Sequence, residues 1–356
     1  MKKAVISCIL VLPFFLIAGC SSERDGYKAP EFPVNERQEI DIISDDIEAY
    51  KHINDFFIYK DYFVVVNHDK DRGFVHLFSR DDFSLKATAV KNGRGPRELI
   101  VCSSCCLDEE TGMLYLLDNE SGIALKVSLD AMIAKTDDSP VENIKLPVKP
   151  TQPRSFYRTS RGWIFENKFS PKSNGKDSIP RLTYHPDDGS AVNEGDGWPA
   201  VSSLEKTVMF NMEHPSSFSA DDSLFVIGTR YGAILEIFDL EAKPFHEKAI
   251  KYFYPSDLVQ NSQDLNKSNM VLGFGDFQIA NNIIYAVVDF KTKYKEIFST
   301  KPPTPYTRIA EFDLSGNPIK LIETNTNIKQ LVVEGKWGYL LIRDDKGITR
   351  IGKISL

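Results

Sequence analysis

Six short segments of this chain repeat one plan: an apolar strand, a tight polar or glycine turn, and a second strand rich in aromatic and β-branched residues. Such a repeat limits the fold more than any other feature, because one unit cannot bury its apolar face alone and must stack on its neighbours. In the first unit Phe56 to Tyr59 turns at Lys60-Asp61 into Tyr62 to Asn67. Later units turn at Glu110-Thr111-Gly112, Ser160-Arg161-Gly162, Ala220-Asp221-Asp222, Asn281-Asn282 and Glu334-Gly335-Lys336. Residues of this kind tolerate the positive φ that tight hairpins need. Equivalent positions Phe63, Tyr115, Ile164, Phe225, Tyr285 and Leu340 lie about 50 to 60 residues apart, the span of one four-stranded propeller blade with generous loops.

A third strand with alternating apolar positions follows several hairpins, as at Phe74 to Phe78, Ile123 to Val127, Ala233 to Phe238 and Thr307 to Phe312. Four antiparallel strands repeated radially predict an all-β fold, a six-bladed β-propeller, which hides most strand edges. Two packed sheets in a sandwich array are the competing arrangement and suit six equivalent hairpins less well. The sixth unit shows three strands, the last being Thr349 to Leu356. Glu39 to Ile43 precedes the first unit without another partner, so this N-terminal strand is expected to complete the last blade and close the ring.

Ahead of that strand stand basic Met1-Lys2-Lys3, an apolar stretch from Ala4 to Ala18, and Gly19-Cys20. This is the order of an export signal. As a helix the apolar stretch would be roughly 22 Å long, short of a hydrocarbon core of about 30 Å. Ile17-Ala18-Gly19-Cys20 resembles the lipobox of bacterial lipoproteins. The resemblance implies a signal peptide over 1–19, lipid on Cys20, and attachment to the cell envelope, on the periplasmic or surface face of the outer membrane. Residues 20–35 are polar and proline-bearing and read as a tether, leaving 36–356 for the propeller.

The formal charge is −7, and removal of Lys2 and Lys3 with no acidic residue takes the mature chain to −9. No nucleic-acid partner is expected of so acidic a chain, since nucleic-acid binders present a basic surface. Beyond Cys20 the mature chain has only Cys102, Cys105 and Cys106, too close together for a disulfide framework.

Lys91-Asn92-Gly93-Arg94-Gly95-Pro96-Arg97-Glu98-Leu99 joins the first and second units. With the lipobox and the six repeats, the chain resembles the TolB-like six-bladed propeller lipoproteins of diderm bacteria, which often carry Gly-x-Gly-Pro-x-Glu at this junction. The resemblance implies a fold and little about activity. Gly93 and Gly95 are expected to take backbone angles closed to other residues, Pro96 to fix φ, and Glu98 to hold nearby amides. In the functional alternative, Arg94 and Arg97 face a ligand.

Nucleophile-elbow, zinc-protease and phosphate-loop motifs are absent from the sequence, and the six histidines lack ligand spacing. Cys102, Cys105 and Cys106 would line the channel as small buried hydrophobes. Asp55, Asp108 and Asp276 are the candidates for a metal site at the channel mouth, although acidic turn residues are common and no metal or cofactor is expected. Long insertions are predicted at 170–180, 186–203, 254–270 and 291–307, with aromatic and charged residues suited to sugars or peptides. Trp198, Arg230 and Tyr231 join Arg94 and Arg97 as candidate ligand contacts. A non-catalytic propeller is favoured over an enzyme, displaying a binding or scaffold face for a glycan, peptide or envelope protein. The alternative is a metal-dependent hydrolase or lyase acting at the channel mouth.

Overall fold

The computed structural model describes residues 29–44, 53–69, 73–135, 140–151, 153–167, 180–195, 215–218, 222–242, 246–254, 271–343 and 347–356. Blade one is Ile53–Tyr59, Tyr62–Asp69, Gly73–Ser79 and Leu85–Ala89, and blade two is Ser104–Asp108, Met113–Asp118, Ile123–Ser128 and Val141–Asn143. Blade three is Pro153–Thr159, Gly162–Asn167, Leu182–Pro186 and Asn193–Gly195, and blade four is Ser216–Phe218, Leu224–Gly228, Ile234–Asp239 and His246–Tyr252. Blade five is Phe274–Ala280, Ile283–Val288, Arg308–Phe312 and Pro318–Glu323. Blade six has Asn327–Glu334, Trp337–Arg343 and Thr349–Ser355, and its fourth strand is Asp41–Ile42, antiparallel to the last with Asp41 opposite Lys353. The N-terminal strand thus closes a six-bladed propeller, as the sequence predicts.

Local chemistry fixes the hairpins. Asn281 and Asn282 take φ of 53° and 60°, the paired left-handed geometry of a two-residue hairpin turn that asparagine accepts at low cost. Gly112 has φ of 65°, and a Cβ there would lie 2.1 Å from the Tyr59 hydroxyl oxygen. Both the turn and the packing of blade two on blade one therefore require glycine.

Apolar side chains gather in the clefts between blades. Val64 and Leu77 meet Leu114 and Leu125 between blades one and two, and Phe274 and Phe312 meet Leu235 between blades four and five. Phe63 and Val65 meet Tyr339 and Leu341 where blade six returns to blade one. This stacking explains a departure from the sequence pattern. The sequence predicts third strands with alternating apolar positions, yet Gly73–Ser79 and Arg308–Phe312 are buried throughout, His76, Arg308 and Glu311 included. In these strands both faces are covered, so the polar positions lie between blades, whereas the third strands of blades two, three and six keep partly exposed positions.

Two further strands depart from expectation. Val34–Arg37 adds a fifth strand to blade five, parallel to Pro318–Glu323 with Val34 opposite Lys320, and Phe32 packs edge-on against Phe312. Asn193–Gly195, inside the insertion predicted at 186–203, is the outer strand of blade three.

Candidate functional site

A blade's first strand starts at the end of the ring where its second strand finishes. Connections from second to third strand and from blade to blade therefore leave the same end. The long connections that join Asn167 to Leu182, Gly195 to Ser216, Tyr252 to Phe274 and Val288 to Arg308 start and finish there; residues 168–179, 196–214 and 255–270 within them, and with them most of the predicted insertions, lie outside the described residues. At that end the channel widens into a cavity of about 710 Å³. Asp55, Cys105, Arg154, Ser216, Asp276 and Gln330, one from the start of each blade's first strand, line it.

Four of the six first strands break register at this point. The pairing skips between Ile53 and Asp55, Pro153 and Ser155, Phe274 and Asp276, and Ile328 and Gln330. Each skip leaves one extra residue: Asn54, Arg154, Gly275 or Lys329. All four line the cavity. A β-bulge re-aims side chains at the cost of a ladder bond, and such devices concentrate beside functional sites.

The cavity wall is tied together by polar contacts. Asp55 Oδ2 accepts from the Cys105 thiol at 2.8 Å, and its Oδ1 accepts from Gln330 Nε2 at 3.1 Å. Asn54 Nδ2 donates to the Cys102 carbonyl at 2.9 Å, and Asp276 Oδ2 accepts from the Leu331 amide at 2.8 Å. The Tyr157 hydroxyl shares a hydrogen bond with Ser216. Burial pushes Asp55 up to about 6, against the hydrogen bonds from Cys105 and Gln330 that favour its charged form. Burial likewise pushes Asp276 up to about 7, with the nearby Asp55 charge adding to the rise. Cys102, Cys105 and Cys106 are free and buried, and desolvation holds the Cys105 and Cys106 thiols high, Cys106 at about 12. Cys105 and Cys106 are therefore poor nucleophiles.

The sequence candidates divide. Arg230 lines the cavity, its guanidinium carbon 5.9 Å from the centre of the Tyr306 ring. Tyr231 instead packs edge-on against Tyr294 at 5.3 Å. Arg94 and Arg97 are exposed and do not line the cavity. Their loop is shaped by Glu98, whose carboxylate accepts from the Gly95 amide at 2.7 Å and fills the space a Cβ would need at Gly93 and Gly95. Arg97, not either glycine, carries the positive φ, at 72°. The two glycines are thus required for room rather than for backbone freedom. Asp108 lies at the far end of its strand and holds a hairpin turn by accepting from the amides of Glu110 and Thr111. Among the described residues no group of three or more His, Cys, Asp and Glu converges as a metal site. Cys20 and Trp198 lie outside the described residues.

Sequence inspection missed Arg154 and Lys329, although a signal exists. Asn54, Arg154, Gly275 and Lys329 each stand six residues before the residue that follows the first strand of their hairpin, Lys60, Ser160, Asn281 and Gly335. Aligning the units on their turns exposes that position.

Fold and cavity together define a six-bladed propeller with a polar pocket at its loop-rich end. The model of the TolB-like 6-blade propeller-like family matches residues 56–336, and the chain belongs to that family. Among solved structures, the chain is similar to a member of the DUF4221 family from Bacteroides vulgatus, at 12% identity and a TM-score of 0.55, covering 91% of this chain and 98% of that one. It is also similar to a Bacteroides fragilis protein named only for its expected export, at 9% identity and a TM-score of 0.50, covering 91% and 99%. At such identities the likeness shows the fold alone. No curated protein matches the chain.

Proposed function

We propose that the protein is a binding module of the cell envelope, anchored through lipid on Cys20, whose channel pocket takes a polar ligand drawn from a glycan, a peptide or an envelope protein. The observation that carries this proposal is the recurrence of one bulge at the mouth of four different blades. Register also skips in outer strands of blades one, four and five; what sets these four apart is that their extra residues all line one cavity. The lipobox and the export named for one structural neighbour support the envelope location.

One observation favours the alternative of a hydrolase or lyase. Asp55 and Asp276 share the pocket, and both are held far above the usual carboxylate range, as proton-transfer groups often are. Thermal-shift titration with neutral oligosaccharides, acidic oligosaccharides and short peptides, with and without calcium, separates the two. A binder is stabilised by one ligand class without metal, by about 2.7 kcal/mol at one hundred times Kd, and leaves the ligand intact. Stabilisation that requires calcium, or a ligand recovered as product, would replace the binder with the enzyme.

A further inference from the structure

We propose that the channel pocket is a site for an anionic saccharide, one bearing carboxylate or sulfate groups, held by Arg154, Arg230, Lys329 and Arg343; the proposal rests on the pocket being the ligand site. Among the described residues, these four cations line a cavity whose acidic residues are Asp55 and Asp276. The excess of positive charge is not inherited from composition, since the whole chain carries −7.

The cations arrive from three blades by two devices. Arg154 and Lys329 are the extra residues of the bulges in blades three and six. Arg230 follows the second strand of blade four, and Arg343 ends the second strand of blade six. Guanidinium groups present a planar fork of donors that matches a carboxylate or sulfate with two parallel hydrogen bonds. The two acids are engaged by the wall itself. Asp55 accepts from Cys105 and Gln330, and Asp276 accepts from Leu331. Burial also raises both carboxyls, to about 6 and about 7, so part of their negative charge is absent near neutrality.

The rest of the lining selects a polyhydroxylated ligand over a peptide. Among the described residues, the other polar lining groups include Ser103, Ser104, Ser216, Tyr157, Asn54 and Gln330, hydroxyls and amides that bond within the wall and keep further donor or acceptor capacity, whereas the larger apolar side chains are Ile53, Pro215 and Leu341. Peptide grooves typically need apolar pockets for anchoring side chains. The cavity of about 710 Å³ lies within the range of about 300 to 1,000 Å³ usual for small-molecule sites, room for a short saccharide rather than a folded partner.

Isothermal titration of the full lipidated chain in detergent micelles tests this, with digalacturonate, a sulfated chondroitin disaccharide, neutral cellobiose and inorganic sulfate as probes. At least one acidic disaccharide should bind ten times or more tighter than cellobiose and weaken as salt rises. A Lys329→Gln/Arg343→Gln double variant should lose at least tenfold in affinity; both residues are exposed, so its melting temperature should match that of the parent. Equal affinity for acidic and neutral disaccharides, or no loss in the double variant, would overturn the charge selection and leave the pocket as a ligand site. Sulfate binding as tightly as the disaccharides would overturn the saccharide and leave a bare anion site. If no probe binds, and short peptides fail as well, the anion proposal and the binding module fall together.

Discussion

Replacing Asp276 with asparagine should stabilise the propeller at alkaline pH and leave it unchanged at acid pH. Its carboxyl oxygen accepts from the Leu331 amide at 2.8 Å, a bond an asparagine oxygen can also accept. What asparagine removes is the cost of ionising a carboxyl in the channel wall. That cost appears as the rise from 3.8 to about 7, caused first by burial. Between about pH 4 and pH 7 the folded state keeps a proton that the unfolded chain has lost, so unfolding becomes easier as pH rises through that window. The full shift corresponds to about 4 kcal/mol, and because the carboxyl opens on the channel and meets water, about 2 kcal/mol is the working figure. Thermal denaturation of both proteins at pH 4 and pH 8 measures it. The variant should match the parent at pH 4 and melt roughly 4 °C higher at pH 8. A difference that is the same at both pH values, or a variant destabilised at pH 8, would refute the assignment of a strained acid at this position.

Three other substitutions test separate parts of the structure. Gly112→Ala places a methyl group on the Tyr59 hydroxyl at a φ of 65° and should cost about 2 kcal/mol or more, read as a lower urea midpoint. Glu236→Gln breaks an ion pair that is wholly buried between blades three and four, with Arg181 Nη1 at 2.7 and 2.8 Å from the two carboxylate oxygens. It should cost about 3 to 5 kcal/mol, and an Arg181→Met/Glu236→Leu double variant should recover most of that in chemical denaturation. Cys20→Ala should release a folded protein into the soluble fraction on cell fractionation, and a variant still held in membranes would contradict the lipid anchor.

The architecture was legible because hairpin turns are local. Lys60-Asp61 and Asn281-Asn282 announce themselves by residue type, and the strands flanking them follow from β-branched and aromatic composition. Ring closure was legible from arithmetic, since a three-stranded sixth unit and an unpartnered Glu39 to Ile43 complete each other. Full burial of third strands such as Gly73–Ser79 was not. Alternation in a single strand cannot reveal that a second blade covers the polar side, as it does at Glu236 and Glu311. Val34–Arg37 escaped for a related reason: a parallel edge strand needs no turn, and its exposed residues carry no apolar pattern.

The pocket was the least legible part. Of the candidates chosen by residue type and motif, Arg230 lies on the pocket wall, whereas Arg94 and Arg97, both exposed, and Tyr231, packed on Tyr294, do not line it. Arg154 and Lys329 lie in ordinary strand sequence, and only their fixed distance from the turn, repeated across blades, marks them. A bulge is a property of pairing between strands, and no single strand encodes it.

A crystal structure of the protein grown with digalacturonate tests the central claim most directly. The account predicts the ligand in the channel pocket, with a carboxylate within hydrogen-bond distance of Arg154, Arg230, Lys329 or Arg343. A ligand seated on the outer edges of the blades, with the pocket holding only solvent, would contradict it.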